Sequence, residues 1–266
     1  MKGCGRNPEN GKKKGGIKAH TVIKIESQVP CLVRFTQAAT HDHVLLSEIH
    51  LAEGSIITFD KAYVDYAQYE RFSQEGVFYV TRMKDNALYE SSEEFDIPDE
   101  ADSGVLKDEE IILKYGKNQA LTHRCRRIAY YDAKNERFFE FLTNKFDVAA
   151  ETVALIYKKR WQIELIFKQL KQNFQLKYFL GDNQNAIEIQ IWCAMLANLL
   201  LMLVKSRVSR RWAFSNFVSV IRGQLMNYIN IYNFLENPEQ SWRKIIAERA
   251  KKETLSPSLF PNIRGA

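Results

Sequence analysis

The chain has 266 residues, enough to bury a substantial core in one domain or in one domain carrying an insertion. With 45% hydrophobic and 26% charged residues its composition is that of an ordinary globular protein, which excludes a disordered or low-complexity chain. A net charge of +6 mildly favours an anionic partner such as nucleic acid.

Residues 1–24 carry seven Lys/Arg against Glu9 alone. Lys12–Lys14 reads either as a basic arm on DNA phosphates or as a solvated segment. Ile17–Glu26 and Cys31–Phe35 alternate with β-branched residues around Ser27–Pro30, which predicts a hairpin. Thr40–Ala52 has a helical period opened by Thr40 and Asp42 and ended by Gly54. Ser55–Phe59 is a short apolar strand delivering Asp60. Val64–Gln74 is a predicted helix closed by Gly76, and Val77–Arg82 is a second apolar strand.

The pattern then changes. Leu88–Pro98 and Asp99–Glu110 are acidic and read as irregular, solvated loop, with ten acids over residues 90–110 against Lys107. Ile111–Tyr115, Leu121–Tyr131 and Arg137–Leu142 are predicted strands, with turns at Gly116–Gln119 and Asp132–Asn135. Asp147 is an N-cap candidate for a helical stretch running to Phe174. Helical patterns follow at Asn185–Lys205, Phe214–Asn227 and Gln240–Lys251, with Pro238 as punctuation. Such βα alternation predicts an α/β fold with a mixed sheet, an insertion and a helical C-terminal region.

Cys4, Cys31, Cys125 and Cys193 are scattered without a C-x-x-C pair, which predicts reduced thiols in a cytosolic protein and no structural zinc site. His20, His41 and His43 are not at ligand spacing and read as structural or loop residues. The apolar run Ile191–Val204 contains Asn198 and falls short of the roughly 20 residues of a membrane span, so a buried core helix is predicted and no membrane partner. Arg207, Arg210, Arg211 and Trp212 read as a basic, solvated helix end.

One array concentrates the chemistry: Tyr157-x2-Arg160-x3-Glu164-x6-Lys171. On a continuous helix over Ala154–Phe174, with Tyr157 at zero, the other three fall at about 300°, 340° and 320°, an arc of about 60°. Ile156, Ile163, Phe167, Leu170 and Phe174 fall beside that arc. Lys158, Gln162, Gln169 and Asn173 point away, to solvent. The array would line the rim of a cleft, where a carboxylate flanked by cations and a phenol suits metal-assisted chemistry on a phosphate backbone. From the residues alone it serves equally as a solvated charged face with Arg160–Glu164 pairing at i,i+4. Asp60, at the C-terminal end of a strand, is either the cap of a turn or a second carboxylate that joins Glu164 in holding Mg²⁺.

The array resembles the Y-R-E-K signature of the insertion-sequence-four family of DDE transposases. Lys14-Gly15-Gly16-Ile17-Lys18-Ala19-His20, Thr40-His41-Asp42 and Asp60-Lys61-Ala62-Tyr63 are similar to that family's blocks, in the expected order. Asn185–Leu200, with Glu188, Gln190 and Trp192, resembles the helix after the signature. The likeness covers about residues 12–205.

The resemblance implies a ribonuclease-H-like fold with a β-rich insertion between the second Asp and the Glu. On that basis residues 1–84 form the first part of the core, with its first strand expected to be missing, and 85–145 the insertion. Residues 146–205 return to the core with the catalytic Glu, and 206–266 form the helical C-terminal region. It also implies that Asp60 and Glu164 are catalytic metal ligands for Mg²⁺, with Mn²⁺ as substitute, and that Tyr157, Arg160 and Lys171 bind DNA. The reaction would be cut-and-paste cleavage and strand transfer on double-stranded DNA at terminal inverted repeats and target. A homodimer would carry it out, in the bacterial cytoplasm at the nucleoid.

The chain departs from the family at its start. The family's first Asp lies upstream of the K-G-G-I-K block, where only Glu9 is acidic here; Asp42 matches the His-Asp block instead, and Ala62 replaces a common Gly. The expectation is an N-terminally truncated transposase, with a catalytically inactive remnant that at most binds DNA or a full-length partner as the alternative.

Overall fold

The computed structural model describes residues 16–97, 103–174, 176, 178–227 and 229–255. Expectations for Cys4, Glu9 and Lys12–Gly15 therefore lie outside the described residues. The chain forms two compact units, dividing after Lys168.

In the first unit β1 (Ile17–Ile23) and β2 (Pro30–Gln37) form an antiparallel two-stranded sheet, the predicted hairpin. The 40–52 segment is a 3-10 turn over Asp42–Glu48 rather than an α-helix. Its N-terminal residue, His41, makes no side-chain cap, so nothing stabilises the orphan amides that an α-helical start would leave. Next come β3 (Ile56–Thr58), α1 (Tyr66–Gln74) and β4 (Phe78–Arg82). Asp65 caps α1, accepting the Ala67 and Gln68 amides at 3.1 and 3.3 Å. Gly76 leaves α1 at φ +67°, a conformation that suits glycine; a Cβ there would also meet Glu53 Cγ at 2.7 Å.

Four further strands complete a six-stranded sheet: β5 (Leu88–Glu94), β6 (Val105–Tyr115), β7 (Leu121–Asp132) and β8 (Arg137–Thr143). The order is β3-β4-β8-β7-β6-β5, with β3 and β4 parallel and the other neighbours antiparallel. Residues 85–145 thus extend the sheet that β3 and β4 begin. Strand alternation feeds two cores. Tyr79, Ile111, Leu113, Cys125 and Leu142 face α1 and the 3-10 turn. Val80, Ile128 and Phe141 face α2 (Ala150–Lys159).

The acidic stretch is not the expected loop. Asp108, Glu109 and Glu110 lie in β6 and are buried. Arg126 on β7 grips Asp108 through two bonds, at 2.8 and 2.5 Å, and donates to Val148 O at 2.6 Å. Arg127 pairs with Glu109, and Arg124 with Glu110 at 2.5 Å. These partners come together only through the β6–β7 register, which sets Glu109 opposite Arg127 and Glu110 opposite Arg126.

The predicted Ala154–Phe174 helix is broken. α2 ends at Lys159 and α3 runs from Gln162 to Asn173. Between them Arg160, Trp161, Ile163 and Glu164 donate their amides three residues back, to Tyr157, Lys158, Arg160 and Trp161. Such 3-10 steps turn about 120° per residue instead of 100°, so positions before and after the junction lose the common face expected of one helix. Nor is Asp147 the cap: Ala149 stands there, and Asp147 pairs with Lys145 at 2.9 Å.

The second unit is helical: α4 (Gln184–Ser206), α5 (Phe214–Gln224), α6 (Ile231–Glu236) and α7 (Pro238–Leu255). Asn183 caps α4 by accepting the Ala186 amide at 2.8 Å. Pro238 opens α7, where a missing N–H costs nothing. Phe217, Ile221 and Leu235 form a small core. Asn173, expected at the surface, is buried, and Gln169 donates to Asn198 Oδ1 at 2.8 Å.

Arg210 grips Glu239 at 2.9 and 3.0 Å, and the Trp212 indole donates to Leu235 O at 3.0 Å. Arg210 and Trp212 thus hold α7 and α6, where a solvated basic end was expected. α4 corrects the core-helix expectation: it is long and apolar enough to cross a membrane, yet only 17% of its most apolar window is buried. Ala194, Met195 and Asn198 are buried, while Leu196, Leu200 and Leu203 are exposed.

The mixed α/β sheet with its helices agrees with the expected ribonuclease-H-like fold, and a helical C-terminal region follows it in the chain.

Candidate functional site

The β3–β4 pairing decides where the first carboxylate goes. Thr58 lies opposite Val80, so continuing the register by two residues sets Asp60 level with Arg82. Asp60 Oδ1 accepts the Ala62 amide at 3.1 Å and so caps the 3-10 turn Lys61–Tyr63. Its Oδ2 faces the Arg82 guanidinium at 3.7 Å. The turn-cap reading of Asp60 thus holds, and its second oxygen is left for ion pairing.

Arg82 links this carboxylate to α2. Its Cζ lies 6.0 Å from the ring centroids of both Phe139 and Tyr157. Tyr157, expected on a cleft rim, is buried at 7% exposure and packs on Phe141 with centroids 5.1 Å apart. Burial raises its phenol pKa and the Asp60 charge adds to that, against the lowering pull of Arg82 and Arg160. Arg160 Cζ sits 5.7 Å from the same ring, and its Nη2 donates to Glu164 Oε1 at 2.8 Å. Burial presses the Arg160 pKa down, but the Glu164 hydrogen bond and the surrounding negative groups more than offset it, so the net shift is upward. Asp60, Arg82, Tyr157, Arg160 and Glu164 thus form one chain of contacts within the first unit. Lys171, exposed on α3, belongs to the second unit.

The sequence blocks also meet. Lys18 Nζ donates to Asp42 Oδ1 at 2.7 Å and to Thr40 O at 2.9 Å. His20 is buried between Tyr63 Oη at 2.9 Å and Thr36 Oγ1 at 2.8 Å, so it is structural as expected; burial is the main force lowering its pKa. Tyr63 is pushed up to about 12 by burial and by the charges of Asp42 and Asp60. A cleft of about 650 Å³ opens here, bordered by β1, β3, Tyr63 and Arg160.

The side-chain exposures of Asp60 (37%) and Glu164 (42%) leave oxygen donors in reach of solvent, a donor type that suits Mg²⁺. Among the described residues no group of three His, Cys, Asp or Glu is gathered for a metal ion. Arg82 is the residue that sequence reasoning passed over. The only signal in the sequence was a cation closing an apolar strand.

The chain also resembles known proteins over most of its length. Residues 2–200 match the family described as the transposase DDE domain. "Putative transposase y4zB" of Sinorhizobium fredii is 32% identical over 209 residues, covering 78% of this chain and 58% of the relative. "Probable transposase for insertion sequence element IS5377" of Geobacillus stearothermophilus is 26% identical over 210 residues, covering 79% and 55%. "Putative transposase for insertion sequence element IS4SA" of Synechocystis is 28% identical over 200 residues, covering 71% and 53%. The chain thus spans little more than half the length of these relatives. The chain belongs to the transposase DDE domain family.

Proposed function

We propose that this chain carries part of the active site of a DNA transposase that cleaves element ends and transfers strands by metal-dependent phosphoryl transfer. The observation that carries the reading is the contact chain from Asp60 through Arg82, Tyr157 and Arg160 to Glu164. It gathers two solvent-reaching carboxylates and two guanidiniums around one buried phenol, a set suited to gripping a phosphodiester beside a hard cation.

In this reading Asp60 and Glu164 hold the divalent ion, Mg²⁺ with Mn²⁺ as substitute. When bound, that ion supplies charge neutralisation at the scissile phosphate and activation of the attacking oxygen. Arg160 and Arg82 orient phosphate oxygens, bidentate geometry being the particular strength of a guanidinium. Lys171 is assigned a DNA-binding role as a point charge. Tyr157, held in the core by Phe141, fixes the Arg160 guanidinium from beneath. The DNA would be the element's terminal inverted repeats and the target, bridged by two protomers. Residues 85–145 correspond to the family's β-rich insertion, continuous here with the main sheet.

A second reading, a DNA-binding chain without cleavage activity, draws on the two-carboxylate donor set, since no third acid joins Asp60 and Glu164 among the described residues. Incubating the purified chain with inverted-repeat duplex and Mg²⁺ or Mn²⁺ separates the two. End cleavage that disappears in Glu164→Ala supports the enzymatic reading. Binding without cleavage, in wild type and variant alike, overturns it for this chain.

A further inference from the structure

Asp60 stands on a segment with little packing of its own. The 3-10 turn that it caps is three residues long, Lys61–Tyr63, and none of the three is fully buried. Two local bonds shape it: the Ala62 amide donates to Asp60 Oδ1 at 3.1 Å and the Tyr63 amide to Asp60 O at 3.0 Å. Lys61 reaches Asp85 at 3.6 Å, in an exposed pair that solvent screens. A turn this short opens readily unless a side chain ties it to something firmer.

Tyr63 supplies that tie. Its ring packs against the buried cluster that includes Leu46 and Phe59, and its hydroxyl lies 2.9 Å from His20 Nδ1. The two rings meet edge to face, with centroids 5.8 Å apart. His20 is only 4% exposed, and its second nitrogen, Nε2, lies 2.8 Å from Thr36 Oγ1 on β2. Both ring nitrogens are thus engaged, each by a hydroxyl that can donate or accept, so a neutral imidazole is satisfied in either tautomer. Turning the ring would break both bonds in a buried site, which holds it in place.

The other end of the tie is equally fixed. His20 sits in the β1–β2 ladder, opposite Arg34. Lys18, two residues earlier and so on the same face of β1, grips Asp42 Oδ1 and Thr40 O at 2.7 and 2.9 Å. The hairpin is thereby clamped beside the first 3-10 turn.

We propose that His20 is a positioning residue: acting through the Tyr63 hydroxyl, it fixes the turn that aims the Asp60 carboxylate. Its consequence for metal affinity rests on the reading of Asp60 as a metal ligand, whereas the bond relay stands without an ion. Groups that orient a ligand from outside the coordination sphere commonly account for about 10–100-fold in metal affinity.

Tyr63→Phe removes the hydroxyl and keeps the ring. Amide exchange is followed by NMR on the metal-free chain, and Mn²⁺ affinity by electron paramagnetic resonance. The Ala62 and Tyr63 amides should exchange about tenfold faster, while Ala67 and Gln68, capped by Asp65, keep their rates. Mn²⁺ affinity should fall about tenfold. His20→Leu should give the same changes and add nothing to Tyr63→Phe when the two are combined, because both remove one bond. His20→Gln, whose amide offers a donor and an acceptor as the imidazole does, should restore both readouts. Should His20→Leu fold poorly, Tyr63→Phe and His20→Gln carry the test.

Unchanged exchange at Ala62 and Tyr63 in Tyr63→Phe overturns the proposal. So does acceleration shared equally by Ala67 and Gln68, which marks general loosening, and so do additive losses in the double variant. Asp60→Asn tests the metal reading separately. If Mn²⁺ affinity is the same there as in wild type, the ligand role of Asp60 fails, while exchange at Ala62 and Tyr63 still decides the role of His20.

Discussion

Replacing Arg82 with methionine separates a site role from a structural one, because the two give different readouts. The Arg82–Asp60 pair, at 3.7 Å with side chains about one-third exposed, is screened by solvent and contributes about 0.5 kcal/mol. The guanidinium lies 6.0 Å from two ring centroids, the outer limit of a cation–π contact, adding about 0.5 kcal/mol for each. Against this, Arg82 Nε is buried without a partner, which costs roughly 1 kcal/mol that methionine does not incur. Methionine also keeps the apolar stem.

The net change in stability should therefore stay within about 1 kcal/mol, read as a small shift in the urea midpoint. DNA affinity should fall more clearly, because one cation fewer faces the phosphates. The slope of log K against log salt, measured by anisotropy between about 50 and 200 mM salt, should drop by about 1. An unchanged slope would refute the phosphate role of Arg82. A stability loss above about 3 kcal/mol would show that the residue is a structural keystone and that the partition above is wrong.

Further outcomes follow from the same geometry. Tyr157→Ala should cost about 3–5 kcal/mol in urea unfolding, since the ring is buried against Phe141, whereas Tyr157→Phe should change stability by less than about 1.5 kcal/mol. Arg126→Met leaves Asp108 buried and uncompensated and should destabilise by about 3–5 kcal/mol; Asp108 and Arg126 replaced together by apolar residues should recover most of that loss.

Acid should weaken the fold through the His123 network, in which Nε2 lies 2.7 Å from Tyr79 Oη and Nδ1 lies 2.7 Å from Glu70 Oε2. Burial holds the His123 imidazole below its usual 6.5, against the pull of Glu70, and the His123 hydrogen bond holds Glu70 below its usual 4.5. Both groups bind fewer protons folded than unfolded, so stability falls as pH drops below 6.5 and falls again below 4.5. Thermal midpoints between about pH 7 and pH 5 should decline in wild type and decline less in His123→Gln; parallel curves would contradict the assignment.

How far the sequence could be read depended on the range over which each interaction acts. The hairpin of β1 and β2, the strand carrying Asp60 and the helix closed by Gly76 all declare themselves through alternation or capping within a few residues. The order of strands, insertion and helix was sufficient for the fold class. Local signals misled where tertiary partners decide the outcome. Asp108, Glu109 and Glu110 look like a solvated run until the β6–β7 register brings Arg124, Arg126 and Arg127 against them.

The array from Tyr157 to Lys171 satisfied a uniform helical period, yet the 3-10 junction at Arg160–Trp161 turns Tyr157 into the core while Glu164 keeps access to solvent. Arg82 carries no motif. Its place beside Asp60 follows from parallel pairing of β3 with β4, which one strand's sequence cannot announce. The contact chain itself was half legible: the residue types and order were visible, while the order of contacts required the fold.

The most direct test of the account is whether Asp60 and Glu164 respond to one bound ion. Iron(II) in place of Mg²⁺, with ascorbate and peroxide, cleaves the backbone near its ligands, and the cut positions are read by mass spectrometry. The account predicts cuts beside both Asp60 and Glu164, suppressed together by excess Mg²⁺ or Mn²⁺ and lost together in Asp60→Asn. Cuts elsewhere, or cuts beside Glu164 that persist unchanged in Asp60→Asn, would contradict it.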